Sequence, residues 1–357
     1  MKIFLISNMY PSNKDPLFGV FVKNFNDELE QSGVFFNPIS LIKGLARNPL
    51  KKILNYSIHY FTILIGLFKT FDLVYVHYVS HHVPILFILL PFKKKPWVIN
   101  AHGTDIIDLQ KNNALNFFAK KVLRKTDLLV VPTSYFKDKV LLSYSFLEEH
   151  KVFVSPSGGI DSNKFFIKDK KHISAKLHVG FISRFIEEKG WKTFLDALLG
   201  LKEQHIPFTA SIAGKGPDEA QILSTLKEYG LTDDVDFLGL IPQDELIDLY
   251  NEIDLYIFPT YREAESLGLT GLEAMACGTP VIACDIAGPA TYIQPGKNGF
   301  LFEPKNVHAL IDHIITYKSF NFEKREKFKT EALHTSKNFR KDIVAQNLLK
   351  RLKALMN

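Results

Sequence analysis

The sequence predicts an α/β protein made of doubly wound parallel sheets and divided into two domains. Three observations carry this. Short apolar runs that read as buried strands alternate along the chain with longer amphipathic stretches that read as helices. A length of 357 residues exceeds what one core of this kind usually serves. A composition of 46% hydrophobic and 23% charged residues suits ordinary buried cores and is not that of a disordered chain.

The first half opens on an apolar strand, residues 2–7 (KIFLIS). A loop punctuated by Pro11, Pro16 and Gly19 follows, and Phe18 to Gln31 reads as an amphipathic helix ended by Gly33. The absent side chain of Gly19 serves either a plain turn or a close backbone approach to a ligand. Further strands are expected at Val34–Ile42, Asp72–His77, Trp97–Ala101, Leu128–Pro132 and Val152–Ser155. Between them, residues 43–71 and 83–97 join apolar runs to clustered Lys and Arg. They read as core helices with solvated basic ends, or as in-plane contacts with a membrane of anionic headgroups. The segment AHGTD (101–105) leaves a strand at its carboxyl end, which makes His102 a candidate site residue. Asp105 either acts on a bound acceptor or caps the segment Ile106–Leu109, and the cap is favoured.

In the second half, Gly158 and Gly159 supply a hinge or tight turn. A strand at Val179–Ser183 then leads through a loop flanked by Arg184 and Lys189 to a helix beginning near Gly190. Ala213, Gly214 and Gly216 mark another strand end with close backbone approach. Asp234 and Asp236 form a DxD pair, but it runs into the strand Phe237–Leu240 and reads as a solvated strand start, not as a metal site. The stretch PTYREAESLGLTGLEAMACGTPVIA (259–283) concentrates the chemistry. It follows the apolar run Ile253–Phe258 and opens with a polar loop carrying Glu263 and Glu265. A helix is expected at Leu267–Ala276, ended by Gly278 before the strand Pro280–Cys284. The start of that helix, at Leu267, Gly268 and Leu269, offers backbone N–H groups and a positive dipole end to an anion. Glu265 and Glu273, with seven residues between them, can accept hydrogen bonds from hydroxyls of the same ligand.

These residues resemble the EX7E signature of the retaining GT-B glycosyltransferases of family GT4. The likeness extends over nearly the whole chain and is strongest from 180 to 302. It implies a GT-B fold, two Rossmann-like domains facing a cleft: 1–160 on the acceptor side, 161–337 binding the nucleotide sugar, and 338–357 crossing back to the first. The resemblance places Glu273 on the ribose of the donor, and Glu265 and His102 beside the transferred sugar. Arg184 and Lys189 match a GRLxxxKG string whose cations hold the donor diphosphate, with Ser183 and Phe185 replacing the usual Gly and Leu. Gly19 resembles a glycine that faces the diphosphate, and Gly214 and Gly216 lie where relatives place the nucleoside. In DIAGPATYIQPGKNGFLFEP (285–304), Ala287 and Thr291 stand where the family pattern has Gly and Glu.

The function implied is retaining transfer of a sugar from a nucleoside-diphosphate sugar to a hydroxyl of a glycan or lipid-linked acceptor, in polysaccharide or glycolipid synthesis. No metal and no cofactor beyond the donor are expected. The rivals are a nucleotide-sugar 2-epimerase of the same fold and a non-catalytic two-lobed sugar-binding protein. An NAD-linked enzyme is disfavoured because no GxGxxG follows the first strand. The only cysteines, Cys277 and Cys284, form no CxxC or Cys/His cluster, which argues for a reducing compartment and against structural zinc. The N-terminal apolar run is too short for a signal sequence, and no stretch is long and apolar enough to span a bilayer. A cytoplasmic location, extending to the inner membrane face, is expected. Residues 1–160 hold 19 Lys and Arg against 11 Asp and Glu, so the net charge of +6 is concentrated in the first half. That half suits an anionic partner, but no nucleic-acid-binding module is present.

Overall fold

A computed structural model describes residues 1–16, 18–168 and 176–356. Leu17, within the first glycine loop, lies outside the described residues. The chain divides into two compact units, Met1–Gly159 with Lys341–Asn357, and Ile160–Arg340.

The first unit runs β1 (Lys2–Tyr10), α1 (Val20–Gln31), β2 (Phe35–Lys43), α2 (Pro49–Gly66), β3 (Leu73–His77), α3 (Val79–Leu89), β4 (Trp97–Asn100), α4 (Thr104–Lys111), α5 (Asn113–Lys125), β5 (Leu128–Val131), α6 (Ser134–Ser143) and β6 (Val152–Val154). Its parallel sheet has the order β2-β1-β3-β4-β5-β6. Strand residues alternate between two apolar layers, because successive side chains point to opposite faces. Phe4 and Ile6 join Val74, Val76, Ile99 and Leu129 on one face. Ile3 and Leu5 join Leu73, Tyr75, Val98 and Val130 on the other.

The second unit runs β7 (Leu177–Ile182), α7 (Trp191–Glu203), β8 (Phe208–Ala213), α8 (Glu219–Glu228), β9 (Val235–Gly239), α9 (Leu246–Glu252), β10 (Leu255–Phe258), α10 (Leu269–Ala276), β11 (Val281–Cys284), β12 (Gly299–Phe302), α11 (Val307–Lys318) and α12 (Phe322–Lys337). Its sheet order is β12-β11-β10-β7-β8-β9, and its neighbouring strands are parallel. A last helix, α13 (Lys341–Lys353), sets Ala345, Leu348, Leu349 and Leu352 into the apolar layer of Phe25 and Leu29 in the first unit.

The sheet orders locate the ligand ends. In each unit the winding direction reverses at one place, between β1 and β3 and between β10 and β7. At such a point the two adjacent loops leave the sheet in opposite directions and open a crevice at the carboxyl ends. Two boundaries differ from the sequence expectation for one reason. Gly19 and Gly268 hold left-handed φ of 69° and 74°, so each caps its helix from outside. Hence α10 begins at Leu269, and Leu267 and Gly268 belong to the loop.

Candidate functional site

In the second unit the loops after β7 and β10 flank the reversal point, and polar contacts lock them together. Lys189 Nζ donates to Glu265 Oε2 at 2.5 Å, with each side chain 11% exposed. Tyr261 N donates to the Glu188 carbonyl at 3.0 Å, and Thr260 Oγ1 lies 3.2 Å from the same oxygen. Thr260 Oγ1 is also 3.4 Å from Glu265 Oε2. The close approach requires Gly190: with φ of 78°, a Cβ there would stand 2.0 Å from the Pro259 carbonyl oxygen. Arg184 is exposed on the β7 loop. An ion pair this enclosed has given up most of its hydration, so removing either partner strands a charge.

From the β10 loop the chain enters α10, whose start has no side-chain cap and no acidic residue in its first turn. An uncapped helix start with a cation nearby favours an anionic ligand. The Ser266 hydroxyl just before it is buried without a hydrogen-bond partner. Glu273, on α10, is buried and accepts from Tyr250 Oη at 3.0 Å. Burial pushes its carboxyl up to about 7, opposed by the Tyr250 hydrogen bond. The loop after β8 closes onto the loop after β7: Cβ atoms at Gly214 and Gly216 would overlap the carbonyl oxygens of Ser183 and Phe185.

The replacements at Ala287 and Thr291 also have a structural setting. Ala287 is buried with φ of 54°, a conformation glycine adopts more readily. Thr291 Oγ1 donates to the Gly288 carbonyl at 2.6 Å. Asp234 pairs with Lys202 at 3.0 Å just ahead of β9, and Asp236 lies within that strand.

In the first unit the strand ends gather imidazoles. His77 ends β3, His102 follows β4, and their rings stack with Nδ1 of the first 3.0 Å from Nε2 of the second. Phe21 packs on His102, with ring centroids 4.6 Å apart. Burial lowers the pKa of His102 to about 3 and that of His77 well below its usual value, so both rings are neutral. Asp105 is fully buried: its carboxylate accepts from His102 N at 2.8 Å and from Val79 N at 3.0 Å. It thereby staples the loop after β3 to the loop after β4. Burial raises its pKa to about 6. At Gly19, a Cβ would stand 2.5 Å from the Met9 carbonyl carbon, so the close approach there is to the chain's own backbone.

Sequence reading had singled out Lys189, Glu265 and Glu273, and the fold brings Lys189 and Glu265 into contact. It missed Thr260, Tyr250, Ser266 and His77. Thr260 and Ser266 lie inside the 259–283 stretch and carried a signal as hydroxyls beside a helix start. Tyr250 and His77 had none, since only packing brings them to their partners.

Residues 163–335 match the family described as Glycosyl transferases group 1. A putative colanic acid biosynthesis glycosyltransferase, WcaL of Escherichia coli, is 25% identical over 71% of this chain and 63% of its own length. The D-inositol 3-phosphate glycosyltransferase of Corynebacterium jeikeium is 28% identical over 66% of this chain and 61% of its own. The matched part thus spans about three fifths of the length of these curated relatives. Sucrose-phosphate synthase from Thermosynechococcus elongatus superposes with a TM-score of 0.80 at 18% identity, over 99% of both chains. Anabaena Alr3699/HepE in complex with UDP and glucose gives 0.74 at 19% identity, over 99% of this chain and 100% of its own. The chain has the GT-B fold, and residues 163–335 of its second unit match the family model of the group 1 glycosyl transferases.

Proposed function

We propose that this protein transfers a sugar from a nucleoside-diphosphate sugar to a hydroxyl of a glycan or lipid-linked acceptor, with retention of anomeric configuration and without a metal ion. The product would belong to a cell-surface polysaccharide or glycolipid. The observation that carries this reading is the Lys189–Glu265 pair, which ties the two reversal-point loops together beside the uncapped start of α10. It is supported by the names of the group 1 relatives and by a structural neighbour solved with UDP and glucose.

In this reading the diphosphate lies on the N–H groups at Leu267, Gly268 and Leu269, with Lys189 and Arg184 as cations. The bond between the anomeric carbon and the leaving phosphate oxygen breaks, and its electron pair goes to the diphosphate. Cations held in place stabilise that growing charge strongly in a water-poor site. The acceptor oxygen bonds to the anomeric carbon on the face the diphosphate leaves, and the acceptor proton passes to the leaving phosphate oxygen. Glu273 takes the ribose hydroxyls, Gly214 and Gly216 face the nucleoside, and Glu265 acts beside the transferred sugar. In the first unit, a neutral His102 offers hydrogen bonds to a sugar hydroxyl. Metal independence is supported by the engagement of Asp234 with Lys202.

A thermal-shift screen of nucleoside diphosphates and their sugars tests the proposal. One of them at a hundred times its dissociation constant should stabilise the protein by about 2.7 kcal/mol. Stabilisation by none would overturn the donor assignment. With the selected donor, turnover should survive EDTA, and a loss restored only by Mn²⁺ or Mg²⁺ would remove the metal-independent mechanism. Conversion of the donor sugar without any acceptor would identify a 2-epimerase instead.

A further inference from the structure

The second helix of the first unit is built inside out for a helix bathed in water. Toward the protein, α2 presents polar groups around one buried apolar side chain, Ile63. Buried His59 lies 2.8 Å from Ser40 Oγ through Nδ1 and 2.9 Å from His82 Nε2 through its own Nε2. Tyr56 Oη accepts from Asn8 and meets His81, and Tyr60 Oη donates to the His81 carbonyl. Toward solvent it presents Leu50, Leu54, Ile58, Phe61 and Ile65, continued past the helix end by Phe68. Their spacing of three or four residues places them in one stripe. The exposure is large: Leu50 76%, Phe61 61% and Phe68 92%.

The stripe continues onto neighbouring elements. Exposed Ile39 of the edge strand β2 shares a groove with Ile58, and exposed Phe35 and Phe92 share another with Leu67. The second groove, of about 730 Å³, is also lined by Lys2, Lys69, Lys94 and Lys95. No charged side chain occurs from Ile53 to Phe68, while Lys51 and Lys52 precede that run and Lys69 follows it. From residue 31 to residue 104 the only carboxylate is Asp72, against Lys43, Arg47, Lys51, Lys52, Lys69, Lys93, Lys94 and Lys95.

We propose that α2, with Phe35, Phe68 and Phe92 beside it, lies in the surface of an anionic lipid bilayer. The apolar stripe enters the boundary between headgroups and acyl chains, and the lysines at its ends contact anionic headgroups. An interfacial helix of this kind combines apolar area on one side with cations at the level of the headgroups. The charge pattern selects this occupant. Arg47 and Lys93 already pair with Asp15 and Asp127, so a second copy of the chain docked face to face would set Lys51, Lys52, Lys69, Lys94 and Lys95 against their copies, with Asp72 as the carboxylate of the shared groove. An uncharged apolar partner would leave them unused. No described helix is long and apolar enough to cross a membrane, so the contact is in-plane.

The test is co-sedimentation of the full chain with vesicles of phosphatidylcholine alone, or mixed equally with phosphatidylglycerol, at about physiological salt. Binding is expected to the anionic vesicles and to weaken as salt is raised, since screening shortens the reach of the lysine charges. Each of Lys51→Gln, Lys52→Gln and Lys69→Gln should lower affinity about fivefold. The pair Ile58→Ser and Phe61→Ser should abolish binding. All these side chains point to solvent, so the thermal midpoint should stay unchanged. Absence of binding to anionic vesicles, or equal binding by the Ser pair, would overturn the proposal. A concentration-dependent dimer, seen by sedimentation velocity and lost in the Ser pair, would overturn it in favour of self-association.

Discussion

The two reversal points use opposite electrostatics on the same topology. In the second unit the strand ends carry formal charges, Lys189 and Glu265 in contact and Arg184 exposed nearby. In the first they carry neutral imidazoles, His77 and His102, stacked among Phe21, Phe25 and Tyr75. A parallel sheet supplies a crevice at this end whatever side chains stand there. The side chains then decide what the crevice holds: the charged end suits a ligand whose charge changes during reaction, and the neutral end suits hydroxyls. The difference teaches that fold and chemistry are set separately, by apolar strand cores and by a few loop residues.

The largest effect should come from removing the cations. Lys189→Ala or Arg184→Ala should lower turnover about thirty- to thousandfold, by analogy with losing one donor to a developing oxyanion. Calorimetry should show weaker binding of the nucleoside diphosphate, with the bare nucleoside nearly unaffected. An equal loss for both ligands would mean general damage, and no loss for either would remove the diphosphate assignment. Because the Lys189–Glu265 pair is enclosed, Lys189→Ala should also cost about 3 kcal/mol of stability by stranding Glu265. The double variant with Glu265→Ala should recover part of that cost.

Next in size is the division of labour between the carboxylates. Glu273→Ala should weaken donor binding roughly tenfold, whereas Glu265→Ala should mainly lower turnover. Unchanged donor affinity in Glu273→Ala would show that the ribose lies elsewhere.

The pH dependence of stability separates Glu273 from the buried histidines by sign. Burial raises Glu273 to about 7, so the protonated form is favoured by folding. Its contribution is complete below about pH 4.5 and is lost as pH rises through about 7. Burial lowers His59 to about 4 and His82 and His102 to about 3, so their neutral forms are favoured. That contribution is complete above about pH 6.5 and is lost as pH falls toward about 3. Asp105, raised to about 6, acts against its own unit's histidines. Urea melts should therefore show Glu273→Gln losing less stability than wild type between pH 5 and 7, by a few kcal/mol at most. His59→Gln should lose less between pH 6 and 4. The same sign in both variants would contradict these environments.

The smallest effect is expected at the DxD pair. Asp236→Ala should change stability by no more than about 0.5 kcal/mol and leave turnover unaltered with and without EDTA. A metal-dependent loss there would place a cation in the second unit and undo the contrast drawn above.

The sequence by itself determined the sheet class and marked the charged loop residues. Apolar runs of four to six residues, such as LYIF and LHVGFI, cannot be satisfied except between two covering layers, so their period and length specify buried parallel strands. The charged residues were legible because they sit in two short, ordered strings, 184–189 and 259–276, whose local geometry follows from glycine and helix-start chemistry. Only the tertiary structure decided the partners. His77 meets His102, Tyr250 meets Glu273, and Lys189 meets Glu265 across 25, 23 and 76 residues of chain. It alone also showed that α2 turns its apolar stripe outward, since periodicity reveals that a helix has a face but not which way the face points. Orientation is set by what the rest of the chain buries. Here the pull comes from His59, bonded to Ser40 and His82, and from Gly66, where a Cβ would stand 2.3 Å from the ring of Phe4.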